Sequence, residues 1–227
     1  MTTTLDIVIP TLNAGRTLGR TLAALPAPPG LTVSTTICDG GSGDDTVAVA
    51  QAASARVVAA PPGRGGQLAA GAAAGNAPWL LFLHADTRLD IGAGEIIARF
   101  VSSHASEDKA GYFRLRFDTA DSGARRVERL AAWRCSAFGL PYGDQGLLIS
   151  RAHYERLGGF RPLPLMEDVD LVRRIGRSNL VALDADALTS PARYQRDGWL
   201  GRPLRNLSCL ALHFAGVSPN VLRRLYG

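Results

Sequence analysis

The apolar positions of the first ninety residues fall in short dense runs separated by glycine, proline and charged residues. Trp79-Leu80-Leu81-Phe82-Leu83 holds five large apolar residues with no polar break. That run is too short for a lipid span and suits a strand covered on both faces. Leu5 to Pro10, the β-branched stretch Thr32 to Cys38, and Arg56 to Ala60 are predicted strands of the same kind. Between them the spacing predicts helices. The first runs from Ala14 to Leu25, with Leu18, Leu22 and Leu25 on one face and Asn13 as its cap. A second starts at Asp44 or Asp45 and ends near Ala53, and an Ala-rich third follows Gly63-Arg64-Gly65-Gly66 to about Gly75. A strand–helix alternation with short links implies a parallel sheet with helices on both faces.

Beyond residue 90 the pattern loosens. A helix is predicted from about Gly92 to His104, a half-exposed strand from Tyr112 to Phe117, and an amphipathic helix from Ala124 to Phe138. A strand, Gln145 to Ser150, follows, and Met166-Glu167-Asp168 opens a helix to about Arg177. The tail carries two predicted helices, Pro203 to Val217 and Pro219 to Tyr226.

Composition changes this picture little. The chain is 46% hydrophobic and 20% charged, an ordinary globular balance. Lys109 is the one lysine among the 25 basic residues, so the arginine content reads as compositional bias and argues for no nucleic-acid partner. The net charge of +5 is local, because residues 191–227 hold six arginines and one aspartate. That basic, leucine-bearing tail would either lie on an anionic membrane surface or pack on the core with its arginines solvated; the second is favoured, leaving membrane contact peripheral at most. Cys38, Cys135 and Cys209 form no CxxC pair, which argues against a zinc site and suits a reducing cytoplasm. The start of the chain has no secretory pattern.

The candidate chemistry sits at strand ends, where open α/β sheets bind ligands. Asp39 could accept hydrogen bonds from ribose hydroxyls, and Arg64 at a glycine-rich helix entry could hold a phosphate. The plainer alternative is that the glycines make tight turns and Arg64 is solvated. Neither a Walker A loop nor an early GxGxxG is present. Asp86 is a plausible ligand for Mg2+ or Mn2+, or else a helix cap, and His84 could touch ligand or merely close the strand end. Glu167 and Asp168 at a helix start are favoured by the helix dipole alone, yet a carboxylate so fixed can also serve as a general base.

Taken in order, these stretches resemble the family 2 inverting glycosyltransferases of the GT-A fold. Ile7-Val8-Ile9-Pro10-Thr11-Leu12-Asn13 is similar to that family's opening strand and loop. Asp39-Gly40-Gly41-Ser42-Gly43-Asp44 matches its second-strand motif, and Gly63-Arg64-Gly65 with Gly71 its Gly-Lys-Gly…Gly segment. His84-Ala85-Asp86 stands at its Asp-x-Asp motif and Glu167-Asp168 at its Glu-Asp pair. The likeness covers roughly residues 5–200. Together with Pro141-Tyr142-Gly143-Asp144-Gln145-Gly146, it points to a short bacterial subfamily. Four positions depart: Ala14 replaces a frequent Glu, Gly40 an Asp, Ala69 an Asn, and His84 the first Asp of Asp-x-Asp. The Gln-x-x-Arg-Trp of processive polymerases is incomplete in Gln195 to Trp199.

The resemblance implies an α/β fold, a Rossmann-like, mainly parallel sheet with helices on both faces and a C-terminal helical tail. It implies one glycosyltransferase domain over 1–227, divided into a nucleotide-sugar half (1–90), an acceptor and catalytic half (91–200) and the tail (201–227). The implied activity is of hexosyltransferase type. One sugar passes from a nucleoside-diphosphate sugar to an acceptor hydroxyl, a lipid-linked one among the candidates. Pro10, Thr11, Asn13, Asp39, Arg64, Ala85 and Asp86 would bind the nucleotide, with Asp86 holding Mg2+ or Mn2+. Asp168 would be the base beside Glu167, Arg193 would reach the phosphates, and Tyr142, Asp144 and Gln145 would line the acceptor side. The competing readings are a nucleotidyltransferase on a related fold and a nucleotide-sugar-binding module without activity.

Overall fold

The computed structural model describes residues 3–219, 221 and 222. Strand β1 (Thr3–Thr11) divides the core. Leu5, Ile7 and Ile9 enter one apolar cluster, while Val8 enters another on the opposite face with Leu80 and Phe82. β2 (Leu31–Asp39), β3 (Arg56–Ala59) and β4 (Trp79–Phe82) follow as the apolar runs predict. They are linked by α1 (Gly15–Ala23), α2 (Thr46–Ala52) and α3 (Arg64–Ala74). Asn13 does not cap α1. It takes the left-handed conformation (φ 51°), Ala14 holds the cap position, and the Asn13 side-chain oxygen accepts instead from Gly43 N–H.

The later elements are β5 (Thr87–Leu89), α4 (Ala93–Val101), β6 (Ala110–Phe117), α5 (Ser122–Phe138), β7 (Leu147–Ser150) and α6 (Arg151–Arg156). After them come α7 (Glu167–Ile175), β8 (Leu180–Thr189), α8 (Ala192–Asp197) and α9 (Gly201–Phe214). One eight-stranded sheet results, in the order β3-β2-β1-β4-β7-β6-β8-β5. β1 pairs in parallel with β2 and β4, β2 with β3, and β6 with β8. β7 runs antiparallel to β4 and β6, and β5 to β8. The sheet is mostly parallel, and it is continuous across residue 90.

β8 is not anticipated from the apolar runs. Its inward positions are Leu183, Ala185, Ala187 and Thr189, small for the most part, and Asp184 and Asp186 lie between them. Both aspartates bond the Arg114 guanidinium of β6 at 2.7 Å. The buried Asp6 also forms an ion pair with the half-buried Arg151, across residue 90. Arg151 Nη2 lies 2.8 Å from Asp6 Oδ2, and Ala77 N–H and the Ser34 hydroxyl donate to the same carboxylate.

α9 packs Cys209 and Leu210 against Val169 and Val172 of α7. Its arginines are not all solvated: Arg202 is buried and pairs with Asp197 at 2.8 Å. The second predicted tail helix, at 219–226, lies outside the described residues except for 219, 221 and 222. Among the described residues no helix is long and apolar enough to cross a membrane.

Candidate functional site

β4 ends at Phe82, and the two residues that interrupt its apolar run, His84 and Asp86, open onto a cleft. Its empty volume is about 580 Å³, counting the part continuous with solvent. Arg64 from the start of α3, Tyr142 and Asp144 from the turn before β7, Asp168 from the first turn of α7, and Arg193 from α8 line the same space. Five separate segments thus meet at one end of the sheet.

Asp168 is held from two sides. Gly143 N–H donates to its Oδ2 at 2.8 Å, and Val169 N–H to its Oδ1 at 2.8 Å. Met166, two residues earlier, has φ 65°, a left-handed conformation that costs a side-chain-bearing residue about 1–3 kcal/mol and is common near functional sites. The bend turns the two acids to different surroundings. Glu167 is 1% exposed and lies 3.3 Å from Arg64 Nη1. Burial pushes its carboxyl well up, the Arg64 charge opposes this, and Asp168 adds to it. Asp168 is half-buried and faces the cleft.

Burial also raises Asp144, to about 6; Arg134 opposes the shift, while Asp168 and Asp86 reinforce it. Its Oδ1 is sealed from solvent and has no hydrogen-bond partner among the described residues. His84 is driven well below its ordinary value, first by burial and then by the charges of Arg64 and Arg193, which favours the neutral imidazole. Gly143 lies so close that a Cβ there would meet His84 Nε2 at 2.6 Å.

Among the described residues, no three His, Cys, Asp or Glu side chains gather closely enough to hold a metal ion by themselves. A hard divalent cation does not need them. Mg2+ in particular is commonly held by one or two carboxylates, with substrate phosphates and water completing the shell. Asp86, on the wall of the cleft that would receive the phosphates, fits that pattern.

Other residues expected at the site lie outside the cleft wall: Pro10, Thr11, Asn13, Asp39, Ala85 and Gln145. The Asp39 carboxylate accepts from the Thr11 and Ser42 hydroxyls and from the N–H groups of Gly41 and Ser42. Those hydrogen bonds keep it below the usual range even though burial opposes them. A ribose hydroxyl reaching Asp39 must therefore displace a partner. The Ala85 carbonyl accepts from the Thr21 hydroxyl at 2.9 Å. Gln145 is buried and braces the turn: its Oε1 accepts from Arg134 and Tyr142 N–H, and its Nε2 donates to the Phe113 carbonyl. Conversely, Thr189, Ser190, Arg202 and Asn206 line the cleft without having been singled out as site residues. Arg202 and Asn206 reach it only because α9 folds back across the sheet end, which no local pattern signals.

The family model described as Glycosyl transferase family 2 matches residues 6–130. Among solved structures, glucosyl-3-phosphoglycerate synthase from Mycobacterium tuberculosis in complex with Mn2+, uridine diphosphate and glucosyl-3-phosphoglycerate is similar. Its TM-score is 0.55 at 21% identity, over 83% of this chain and 70% of that one. S. aureus TarS in complex with UDP-GlcNAc gives a TM-score of 0.61 at 13% identity, over 82% of this chain and 58% of that one. A further mycobacterial protein gives 0.56 at 20%, over 83% and 66%. These likenesses establish the GT-A fold, and the chain spans only part of each matched length. No curated protein sequence matches the chain.

Proposed function

The chain belongs to glycosyl transferase family 2, and on that premise we propose that it moves one sugar, of hexose type, from a nucleoside-diphosphate sugar to an acceptor hydroxyl with inversion. The observation that carries this reading is the cleft itself, which Asp86 and Asp168 share although they come from the end of β4 and the start of α7. An inverting transfer needs positive charge beside the departing diphosphate and a base on the opposite face of the sugar. The M. tuberculosis synthase binds Mn2+ with UDP, and TarS binds UDP-GlcNAc, which supports a uridine nucleotide as the donor to test first.

In this reading Asp168 takes the acceptor proton while Gly143 N–H and Val169 N–H fix its orientation. Arg64 and Arg193 bring positive charge to the phosphate side, and neutral His84 offers a hydrogen bond without repelling them. Mg2+ or Mn2+ carried by Asp86 would neutralise the leaving diphosphate, the kind of electrostatic contribution that is usually the largest in catalysis. Glu167 orients Arg64 from beneath. Tyr142 and Asp144 face the acceptor, with Gln145 as the brace behind them. Three free buried cysteines agree with a reducing compartment, the cytoplasm.

Asp168→Asn should lower turnover about 10²–10⁴-fold while UDP still binds. Near-wild-type turnover would remove Asp168 from the role of base. Asp86→Ala should abolish the gain in UDP affinity that Mn2+ brings, read by calorimetry with and without the metal. An unchanged gain would put the metal elsewhere.

A further inference from the structure

A second cavity lies between α5 and α9, with an empty volume of about 840 Å³, counting the part continuous with solvent. Its walls are apolar and open. Leu130, Trp133 and Phe138 of α5 are 58%, 59% and 57% exposed, and Leu207 of α9 is 60% exposed. The Trp133 and Phe138 rings pack edge to face at 5.2 Å, so they form a fixed surface and not a set of loose side chains.

The groove is continuous with the cleft. Tyr142, Asp144, Tyr194 and Asn206 belong to the walls of both. At that junction two acceptor atoms, Asp144 Oδ1 and Asn206 Oδ1, are sealed from solvent and unpartnered among the described residues. Buried polar atoms without partners are rare and call for a donor. A polar end with two unpartnered acceptors, leading into an apolar trough, matches a molecule with the complementary division.

We infer that the acceptor is an amphiphile, with a hydroxyl-bearing head at Asp144 and Asn206 and a hydrocarbon tail between α5 and α9. This rests on the transfer reading of the cleft. In that reaction the acceptor oxygen bonds to the anomeric carbon as the anomeric C–O bond to the diphosphate breaks. The hydroxyl proton passes to Asp168, and the nucleoside diphosphate leaves with the bonding electrons. A bilayer surface or a second copy of the chain would cover the rims of the groove, whereas the unpartnered acceptors at its inner end favour an occupant that enters it.

The test uses n-octyl and n-decyl β-glucoside, each below its micelle-forming concentration, titrated calorimetrically into the full chain with UDP and Mn2+. Each methylene buried in the groove should tighten binding about four-fold, so the decyl compound should bind about 15-fold tighter than the octyl. Trp133→Gln and Leu207→Gln, both at exposed positions, should flatten that dependence and leave UDP affinity within about two-fold. Equal affinities for the two glucosides, or a length dependence untouched by both variants, would overturn the inference. So would the absence of glucoside binding combined with a dimer, or with phosphatidylglycerol-vesicle binding, that Leu207→Gln abolishes. Loss of UDP binding with the length dependence intact would support the groove and defeat the transfer reading instead.

Discussion

Gly143 offers the sharpest test of how the cleft is held. A Cβ added there would stand 2.6 Å from His84 Nε2, 3.1 Å from its Cε1 and 3.5 Å from Asp168 Oδ2. Non-bonded heavy atoms settle at about 3.5–4.0 Å, so Gly143→Ala requires a relative displacement of about 1 Å. His84 is flanked by the positive charges of Arg64 and Arg193. The turn at Gly143 is therefore the part expected to retreat, and retreat stretches its 2.8 Å bond to Asp168. A hydrogen bond to a charged group is worth about 1.5–3 kcal/mol, which corresponds to roughly 10–150-fold in rate if it serves only the base. Misplacing a reacting group by about 1 Å carries a similar penalty of about 10²-fold. Gly143→Ala should accordingly lower kcat about 10–100-fold while the donor KM and the calorimetric Kd for UDP stay within about three-fold. Stability should fall by about 1–3 kcal/mol, the usual cost of overpacking. A correctly folded variant with wild-type kcat would show that the contact with Gly143 does not set Asp168 for catalysis.

Two further outcomes concern charge. Arg151→Ala strands the Asp6 carboxylate, and also removes bonds to the Ala72 and Ala77 carbonyls. Breaking such a buried pair from one side should cost about 3–5 kcal/mol in urea denaturation, and a loss below about 1 kcal/mol would mean that water reaches Asp6. Asp144, with its carboxyl raised from 3.8 to about 6, favours folding in its neutral form. That contribution is complete below about pH 4 and is lost as pH rises through about 6. Metal-free Asp144→Asn should therefore match the wild type near pH 4 and melt about 6–12 °C higher at pH 7.5. Identical melting curves at both pH values would show that the carboxyl is hydrated.

The sequence makes the first four strands legible because each is a short apolar or β-branched run with a sharp boundary, at Pro10, Gly40, Pro61 and His84. β8 escapes notice because its buried positions are largely alanine, which carries little apolar signal beside Asp184 and Asp186. β5, with three residues, and α6 and α8, with six each, are too short to show a period. The chemistry divides in the same way. Asp86, Asp168, Arg64, Tyr142, Asp144 and Arg193 sit on the cleft wall, because strand ends and helix starts converge at one end of an α/β sheet. Asp39 and Gln145 read equally well as ligand contacts, but their hydrogen-bonding capacity is taken up by the protein. A residue's type shows what it can bond, and only its neighbours decide whether that capacity is left for a ligand.

The bond between Asp6 and Arg151 joins positions 145 residues apart in the chain, and this bears on how the polypeptide comes off the ribosome. Until Arg151 is synthesised, the β4 edge later filled by β7 is uncovered and a carboxylate destined for the interior has no cation. An exposed edge of that kind invites pairing with other nascent chains. The amino-terminal portion is thus expected to stay solvated or chaperone-bound during translation, and to consolidate once the segment around β7 has emerged.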